Sequence, residues 1–166
     1  MKKIVFYTLL IISFLLITVF VIRLISARHL DDVTPEIPCD KKLLNKADIL
    51  YVIPNFNNKS MGENKEWCNM ILNLNKTLGL HGIYHTYKEF QIDRNISYLV
   101  EGELSFEKCF EFKPERFKPS QLSISKSNKE MIKQKYKLDV LPGVGFHKVY
   151  HCNDTGRLPN WLINLI

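Results

Sequence analysis

Two histidines four residues apart are the first feature of this chain that could carry chemistry. His81 and His85 lie in the segment Leu-His-Gly-Ile-Tyr-His-Thr at 80–86, and two adjacent carboxylates, Asp31 and Asp32, precede them by about fifty residues. Two imidazoles and a carboxylate can bind a divalent metal through three protein ligands and leave a position for water. Together these residues predict a divalent metal site in a hydrolase. Zn²⁺ is the favoured ion, with cobalt, nickel or iron as alternatives.

Taken separately, neither pair is specific. A histidine pair is more often found at a surface or in packing, and an Asp-Asp pair is more often a helix cap or a turn. The spacing also differs from the helical His-Glu-x-x-His motif of metalloproteases, because Gly82 stands where that motif has its glutamate. The sequence therefore excludes that protease mechanism and leaves a site that depends on the fold to bring the two pairs together.

The N-terminal segment is predicted to cross a membrane. Ile4 to Ile22 is a run of nineteen residues without a charge, which is long enough to span a bilayer. The only segment resembling a signal-peptidase site is Ile25-Ser26-Ala27, which begins with a large residue. We therefore expect residues 1–23 to be a retained membrane anchor, with a cleaved signal sequence as the alternative, and residues 24–166 to be one domain.

Several features favour an extracytoplasmic domain on a single-pass membrane protein. Lys2 and Lys3 precede the anchor and Arg23 and Arg28 follow it, which only slightly favours a cytoplasmic N-terminus. Four Asn-x-Ser/Thr sequons favour the same topology; they begin at Asn58, Asn75, Asn95 and Asn153. The four cysteines contain no Cys-x-x-Cys pair, so disulfides and buried thiols both remain open.

The charge of the chain does not indicate a nucleic-acid partner. The formal net charge is +6, but Lys2, Lys3 and Arg23 flank the membrane segment, which leaves about +3 on the domain. We expect no nucleic acid to bind.

Apolar and polar segments alternate after the anchor as strand and helix, which predicts an α/β domain with mainly parallel strands. The predicted strands are 24–30, 49–53, 78–80, 138–141 and 146–151, and the predicted helices are 41–48, 67–74, 96–104, 127–136 and 161–166. Asp32, His81 and His151 then fall near strand ends, where the sites of such sheets are found.

These residues also resemble motifs of a known family. Leu-Asp-Asp-Val-Thr-Pro at 30–35 resembles the first motif of the polysaccharide deacetylase superfamily, the NodB-type carbohydrate esterases, and 80–86 resembles its two-histidine second motif. The match is to a divergent branch in which Glu89-Phe90 and 114–120 also have counterparts. Val149-Tyr150-His151 resembles the last motif, so the resemblance covers residues 28 to 166.

The resemblance implies a short distorted (β/α) barrel that removes acetyl groups from an N-acetylated sugar or polysaccharide. Asp32, His81 and His85 would hold the metal. Asp31 would be the general base, and His151 would protonate the departing amine, with His147 as the rival for that role.

The third motif departs from the family pattern of Arg-x-Pro-aromatic. Arg116 lies three residues before Pro119, Lys118 lies immediately before it, and Ser120 replaces the aromatic residue. Either cation could orient Asp31, and we predict Arg116 because its guanidinium has the fork geometry for a carboxylate. Both cations could instead be solvated, and Glu89 could be an active-site carboxylate or a surface residue.

Two other functions remain open at this stage. A catalytically inactive relative could keep the fold as a carbohydrate-binding or interaction module, which the altered third motif and the short domain favour. A small single-pass subunit of a membrane complex would explain the anchor but not the Asp-Asp and His-x-x-x-His motifs.

Overall fold

The computed structural model describes residues 2–140 and 147–165, in which one parallel sheet is surrounded by short helices. The strands are β1 His29–Val33, β2 Ile49–Val52, β3 Thr77–His81, β4 Arg116–Lys118, β5 Lys137–Leu138 and β6 Val149–His151. The helices are α1 Lys2–Ile25, α2 Lys41–Lys46, α3 Lys65–Leu72, α4 Ile96–Phe110, α5 Lys126–Lys133 and α6 Asn160–Leu165.

The sheet has the order β5-β4-β3-β2-β1-β6, and each neighbouring pair is parallel. The predicted α/β fold, a short barrel-type sheet of parallel strands preceded by one apolar helix, is confirmed. All four residues of β2 are buried, as expected for a strand covered on both faces. Because the strands are parallel, the segments that follow them meet at one edge of the sheet, which we call the carboxyl edge.

Several element boundaries differ from the sequence predictions, and β4, Arg116–Lys118, was not predicted as a strand. The strand predicted at 24–30 begins only at His29, because α1 continues to Ile25 and the Ser26 amide still donates to the Ile22 carbonyl. The helix predicted from 127 begins at Lys126 and is capped by Ser125, whose hydroxyl accepts from the Asn128 amide. The last two strands are shorter than predicted, and positions 141 and 146 lie outside the described residues.

Helix α1 is long and apolar enough over Ile4–Ile25 to cross a membrane, and within this span only Arg23 is buried against the domain. A signal sequence would have the same length and composition.

Both pairs of cysteines are bonded as disulfides, which decides between the two states left open by the sequence. Cys39–Cys152 ties the segment after β1 to the end of β6, and Cys68–Cys109 ties α3 to α4. The first disulfide therefore holds two of the segments at the carboxyl edge together.

His29, at the start of β1, predicts an acid-sensitive step in stability. Its ring is 7% exposed, stacks on His147 and meets Tyr51 edge-on. Burial lowers the pKa of His29 to about 4, with the charge of Lys118 acting in the same direction. The unfolded chain takes up a proton near pH 6.5 and the folded chain only near pH 4, so stability falls by at most about 3 kcal/mol as pH drops through this window.

We expect His29→Phe, which keeps an aromatic ring but cannot titrate, to lose less stability across this window. Urea unfolding of both proteins at pH 7 and at pH 4.5 measures the difference. Equal losses in the two proteins would show that His29 does not contribute to acid sensitivity.

Candidate metal centre

The adjacent carboxylates at the end of β1 face the same site because the strand is irregular there. Neighbouring side chains of a regular strand point to opposite faces of the sheet. Here the β1–β2 register shifts between Leu30 and Val33, and Asp32 has a φ of 62°, in the left-handed region. Such backbone strain at a non-glycine residue is concentrated at functional sites. It places both Asp31 and Asp32 beside the imidazole of His81.

Asp32, His81 and His85 converge on one point. The Oδ1 atom of Asp32 lies 3.3 Å from His81 Nε2 and 3.0 Å from His85 Nε2. One ligand atom from each of the three residues lies within 4.8 Å of the others. Ligands bound at about 2.1 Å to one tetrahedral ion would be about 3.4 Å apart, close to these spacings.

The protonation state of His81 fits the same site. Its Nδ1 atom is 3.2 Å from the carbonyl oxygen of Lys118, which can only accept a hydrogen bond. Donation from Nδ1 to this carbonyl leaves Nε2 to face Asp32 and His85, where it could bind a cation. Burial acts to lower the pKa of His81, but the charges of Asp31 and Asp32 outweigh it and raise the pKa.

The carboxylate of Asp32 also has one oxygen held by the protein and the other facing the histidines. Its Oδ2 atom accepts a hydrogen bond from the Thr155 hydroxyl, whereas Oδ1 is buried without a hydrogen bond of good geometry. Burial acts to raise the pKa of Asp32, but the approach of His81 and His85 outweighs it and holds the pKa below its usual value. An ionised oxygen and two imidazole nitrogens that face each other fit a divalent cation, so the residues present suit the metal that the sequence predicts.

The turn that carries His85 is held by Glu89. This carboxylate is fully buried and accepts the amide N–H groups of Ile83, Tyr84 and His85 as well as the Tyr98 hydroxyl. Glu89 is thus neither a surface residue nor, in this structure, a group facing the cluster of Asp32, His81 and His85. It fixes the backbone from which His85 projects.

Gly82 is required by the same turn. Its φ is +63°, and a Cβ at this position would lie 2.3 Å from Glu89 Oε2. The glycine that the sequence shows between the two histidines therefore lets the turn close around the Glu89 carboxylate.

The general-base candidate, Asp31, is bound by a lysine. The Nζ atom of Lys118 lies 2.9 Å from Oδ1 and 2.6 Å from Oδ2 of Asp31, and both side chains are about 5% exposed or less. Burial acts to raise the pKa of Asp31, but the charges of Lys118, His81 and His151 together outweigh it and lower the pKa. Asp31 is therefore ionised and held in one orientation.

The prediction that Arg116 orients Asp31 is corrected by this arrangement. The guanidinium of Arg116 binds Asp139 instead, with N–O distances of 2.9 to 3.2 Å, and also approaches the Tyr51 hydroxyl. Arg116 begins β4 and Lys118 ends it, so only Lys118 is level with the carboxyl ends of β1 and β3.

His151, at the end of β6, pairs with Asp31 across the neighbouring strands β6 and β1. Its Nε2 atom is 3.7 Å from Asp31 Oδ2. Its backbone is held by Asn160, whose side chain accepts from the His151 amide and donates to the His151 carbonyl. Burial lowers the pKa of His151, although the charge of Asp31 acts against this. The rival histidine, His147, stacks on His29 instead.

A cleft of about 560 Å³ opens above these groups. Its floor is formed by the two aspartates, the histidines and Lys118, and its walls include the apolar side chains of Leu122, Leu158 and Ile163. The exposed Arg157 also lines it. A cleft of this size can admit a small ligand or a segment of a polymer.

No protein-family model matches the chain, and no curated protein matches its sequence. Solved structures do match. The peptidoglycan N-acetylglucosamine deacetylase Bc1960 matches at a TM-score of 0.52 and 16% identity, over 68% of this chain and 54% of that one. The polysaccharide deacetylase Bc1974 from Bacillus cereus matches at 0.50 and 12%, over 68% and 59%. A mutant of a CE4 family pseudoenzyme, described as having restored enzymatic activity, matches at 0.50 and 14%, over 75% and 55%.

These likenesses show the fold. The resemblance to polysaccharide deacetylases noted in the sequence is confirmed at that level, since all three structures are deacetylases or a related pseudoenzyme. The chain spans somewhat over half the length of the structures it matches.

Proposed function

We propose that this chain is a membrane-anchored, metal-dependent hydrolase that removes acetyl groups from an N-acetylated sugar or polysaccharide. The observation that carries the proposal is the convergence of Asp32, His81 and His85 at the carboxyl edge, beside the ionised Asp31. The deacetylase fold supports the substrate class, and the cleft gives a carbohydrate access to the four residues.

The residues of the site can supply the metal ligands, the general base and the general acid that amide hydrolysis needs. Zn²⁺ bound by Asp32, His81 and His85 would polarise the acetyl carbonyl and acidify a water molecule. Asp31 would accept a proton from that water as its oxygen bonds to the carbonyl carbon. His151 would donate a proton to the sugar nitrogen as the carbon–nitrogen bond breaks, giving acetate and an amine.

The distance between base and acid supports this division of roles. Asp31 Oδ2 and His151 Nε2 are 3.7 Å apart, beyond hydrogen-bond distance, so the proton taken by Asp31 would reach the imidazole through one bridging water or after a small approach of the two groups. Because burial lowers the pKa of His151, its ring is neutral before that transfer and gives up the proton readily afterwards. Lys118 would keep the Asp31 carboxylate directed towards the water throughout.

Three features support an anchored domain outside the cytoplasm. Helix α1 has the length and composition of a membrane span. The two disulfides are typical of oxidising compartments. All four sequon asparagines are exposed, as glycosylation would require: Asn58, Asn75, Asn95 and Asn153.

Acetate release tests the activity. The full chain, purified in detergent and loaded with Zn²⁺, should release acetate from chitooligosaccharides or peptidoglycan fragments. Asp31→Asn keeps the three metal ligands but removes the base, so it should bind zinc while its rate falls by about 10²-fold or more. Wild-type protein that binds zinc and releases no more acetate than Asp31→Asn would contradict the hydrolase.

A second candidate function is a carbohydrate-binding module without turnover. The observation that favours it is the engagement of both Asp31 oxygens by Lys118, which weakens Asp31 as a base. Glycan binding by zinc-loaded protein, with no acetate released, would support this candidate.

A further inference from the structure

The anchor meets the domain at the edge of the sheet opposite the candidate metal centre. Helix α1 ends at Ile25, and β1 begins at His29 after three residues. The Arg23 guanidinium donates to the His147 carbonyl at 3.0 Å and is buried against the domain. Because all the strands are parallel, their amino ends lie on the side of α1, and Asp31 and Asp32 lie towards the far end of β1.

Five basic residues lie together where α1 enters, and we call them the basic collar: Arg23, Arg28, Lys46, Lys76 and Lys148. Backbone hydrogen bonds place them on one edge. The His29 amide donates to the Lys148 carbonyl, and the Asp48 amide donates to the Arg28 carbonyl. The Lys76 ammonium reaches the carbonyl of Asn45, the residue before Lys46.

The collar carries an excess of positive charge. Among the described residues, the carboxylate found against the collar is that of Asp48, which Arg28 binds at 2.7 Å; leaving aside the buried Arg23, four cations and one anion leave +3 among the collar and Asp48. Burial lowers the pKa of Lys148, and the charges of Arg23, Lys46 and Arg28 lower it further. Cations that repel each other in this way are stabilised by an external anion.

The part of the same edge at the end of α4 carries charges of both signs. Around the end of α4, Glu107, Glu111 and Glu115 are interspersed with Lys108 and Lys113, and Lys113 lies 3.9 Å from Glu107. Lys133, Lys135 and Lys137 also lie at this edge, at the end of α5 and the start of β5, but Lys135 is paired with Glu103 at 2.5 Å. The collar is the basic cluster that lies beside the anchor, where a membrane surface would lie.

We propose that the basic collar binds the anionic phospholipid headgroups of the membrane that α1 spans, so that the cleft opens away from the bilayer. The inference rests on the anchor in the proposed function but not on catalysis. Lys and Arg side chains held beside an anionic lipid surface are attracted to it electrostatically. The protein would then act on glycans that reach it from the surrounding medium.

Lysine footprinting of the full chain tests the orientation. The chain is reconstituted in phosphatidylcholine vesicles with and without phosphatidylglycerol, and each lysine's acetylation rate is measured by mass spectrometry. Lys46, Lys76 and Lys148 should react several-fold more slowly when phosphatidylglycerol is present. Lys126 and Lys129 begin α5 at the carboxyl edge and should react equally in both vesicles.

Matched variants separate the collar from general effects of charge. Lys76→Gln/Lys148→Gln should remove the lipid-dependent protection of Lys46, and Lys126→Gln/Lys129→Gln should retain it. Equal reactivity of the collar lysines in both vesicles, or protection that survives Lys76→Gln/Lys148→Gln, would overturn the proposal. Release of the chain from vesicles by alkali would also overturn the proposal, because it would show that α1 does not anchor the chain in the bilayer. Acetate release is measured in a separate assay. A protein that releases no acetate could therefore still show the lipid-dependent protection of its collar lysines.

Discussion

Asp32→Gly should abolish zinc binding without unfolding the domain. The substitution removes one of three ligands, and glycine adopts the left-handed backbone of Asp32, whose φ is 62°, without strain. Loss of a group that only supports a ligand weakens metal affinity about 10–100-fold, so loss of the ligand itself should exceed this. Equilibrium dialysis followed by metal analysis should find about one Zn²⁺ per wild-type chain and none on the variant at micromolar zinc.

Thermal unfolding gives an independent measurement of the same site. A metal that binds only the folded state stabilises it by about 2.7 kcal/mol at one hundred times its dissociation constant. Zinc should therefore raise the Tm of wild type but not of Asp32→Gly or His81→Gln. His147→Gln is the control, since this histidine stacks on His29 outside the three-residue cluster and should keep the zinc response. A wild type with no bound zinc and no shift in Tm would contradict the metal centre.

The proximity of Asp32 and His81 could be predicted from the sequence because parallel strands end on the same side of a sheet. Apolar segments identified β1, β2 and β3, although not β4, and the ends of parallel strands share an edge, so Asp32 and His81 could be placed together. The left-handed backbone at Asp32 was not predictable. It accompanies a register shift between β1 and β2 that no sequence pattern shows, although aspartate adopts this conformation more readily than most residues.

The error at Arg116 has a geometric origin. Arg116 and Lys118 are two positions apart on β4, so their side chains leave the same face of the sheet. Which of them meets Asp31 depends on how far β4 extends relative to β1, and sequence does not give that register. The roles of Glu89 and Thr155 were also hidden, because Glu89 binds mainly backbone amides and Thr155 comes from a distant segment.

Lys118→Met should destabilise the protein by about 3–5 kcal/mol, because it leaves the buried Asp31 carboxylate without its partner. Asp31→Asn alone should also destabilise it, since Lys118 would then be the unpaired charge. The double variant Asp31→Asn/Lys118→Met removes both charges and should recover much of the loss. Urea unfolding of the four proteins gives the coupling free energy between the two residues.

The exposed pair Arg28–Asp48 is the matched control for this cycle. Its shortest N–O distance, 2.7 Å, is close to the 2.6 Å of Lys118–Asp31, but its side chains are 42% and 40% exposed. Solvent screening should reduce its coupling to about 0–1 kcal/mol. Additive losses at Lys118 and Asp31, or equal coupling in the two cycles, would contradict a buried pair. Acetate release should stay low in the double variant despite its recovered stability, because the pair's proposed catalytic role is to hold an ionised base, which two neutral side chains cannot supply.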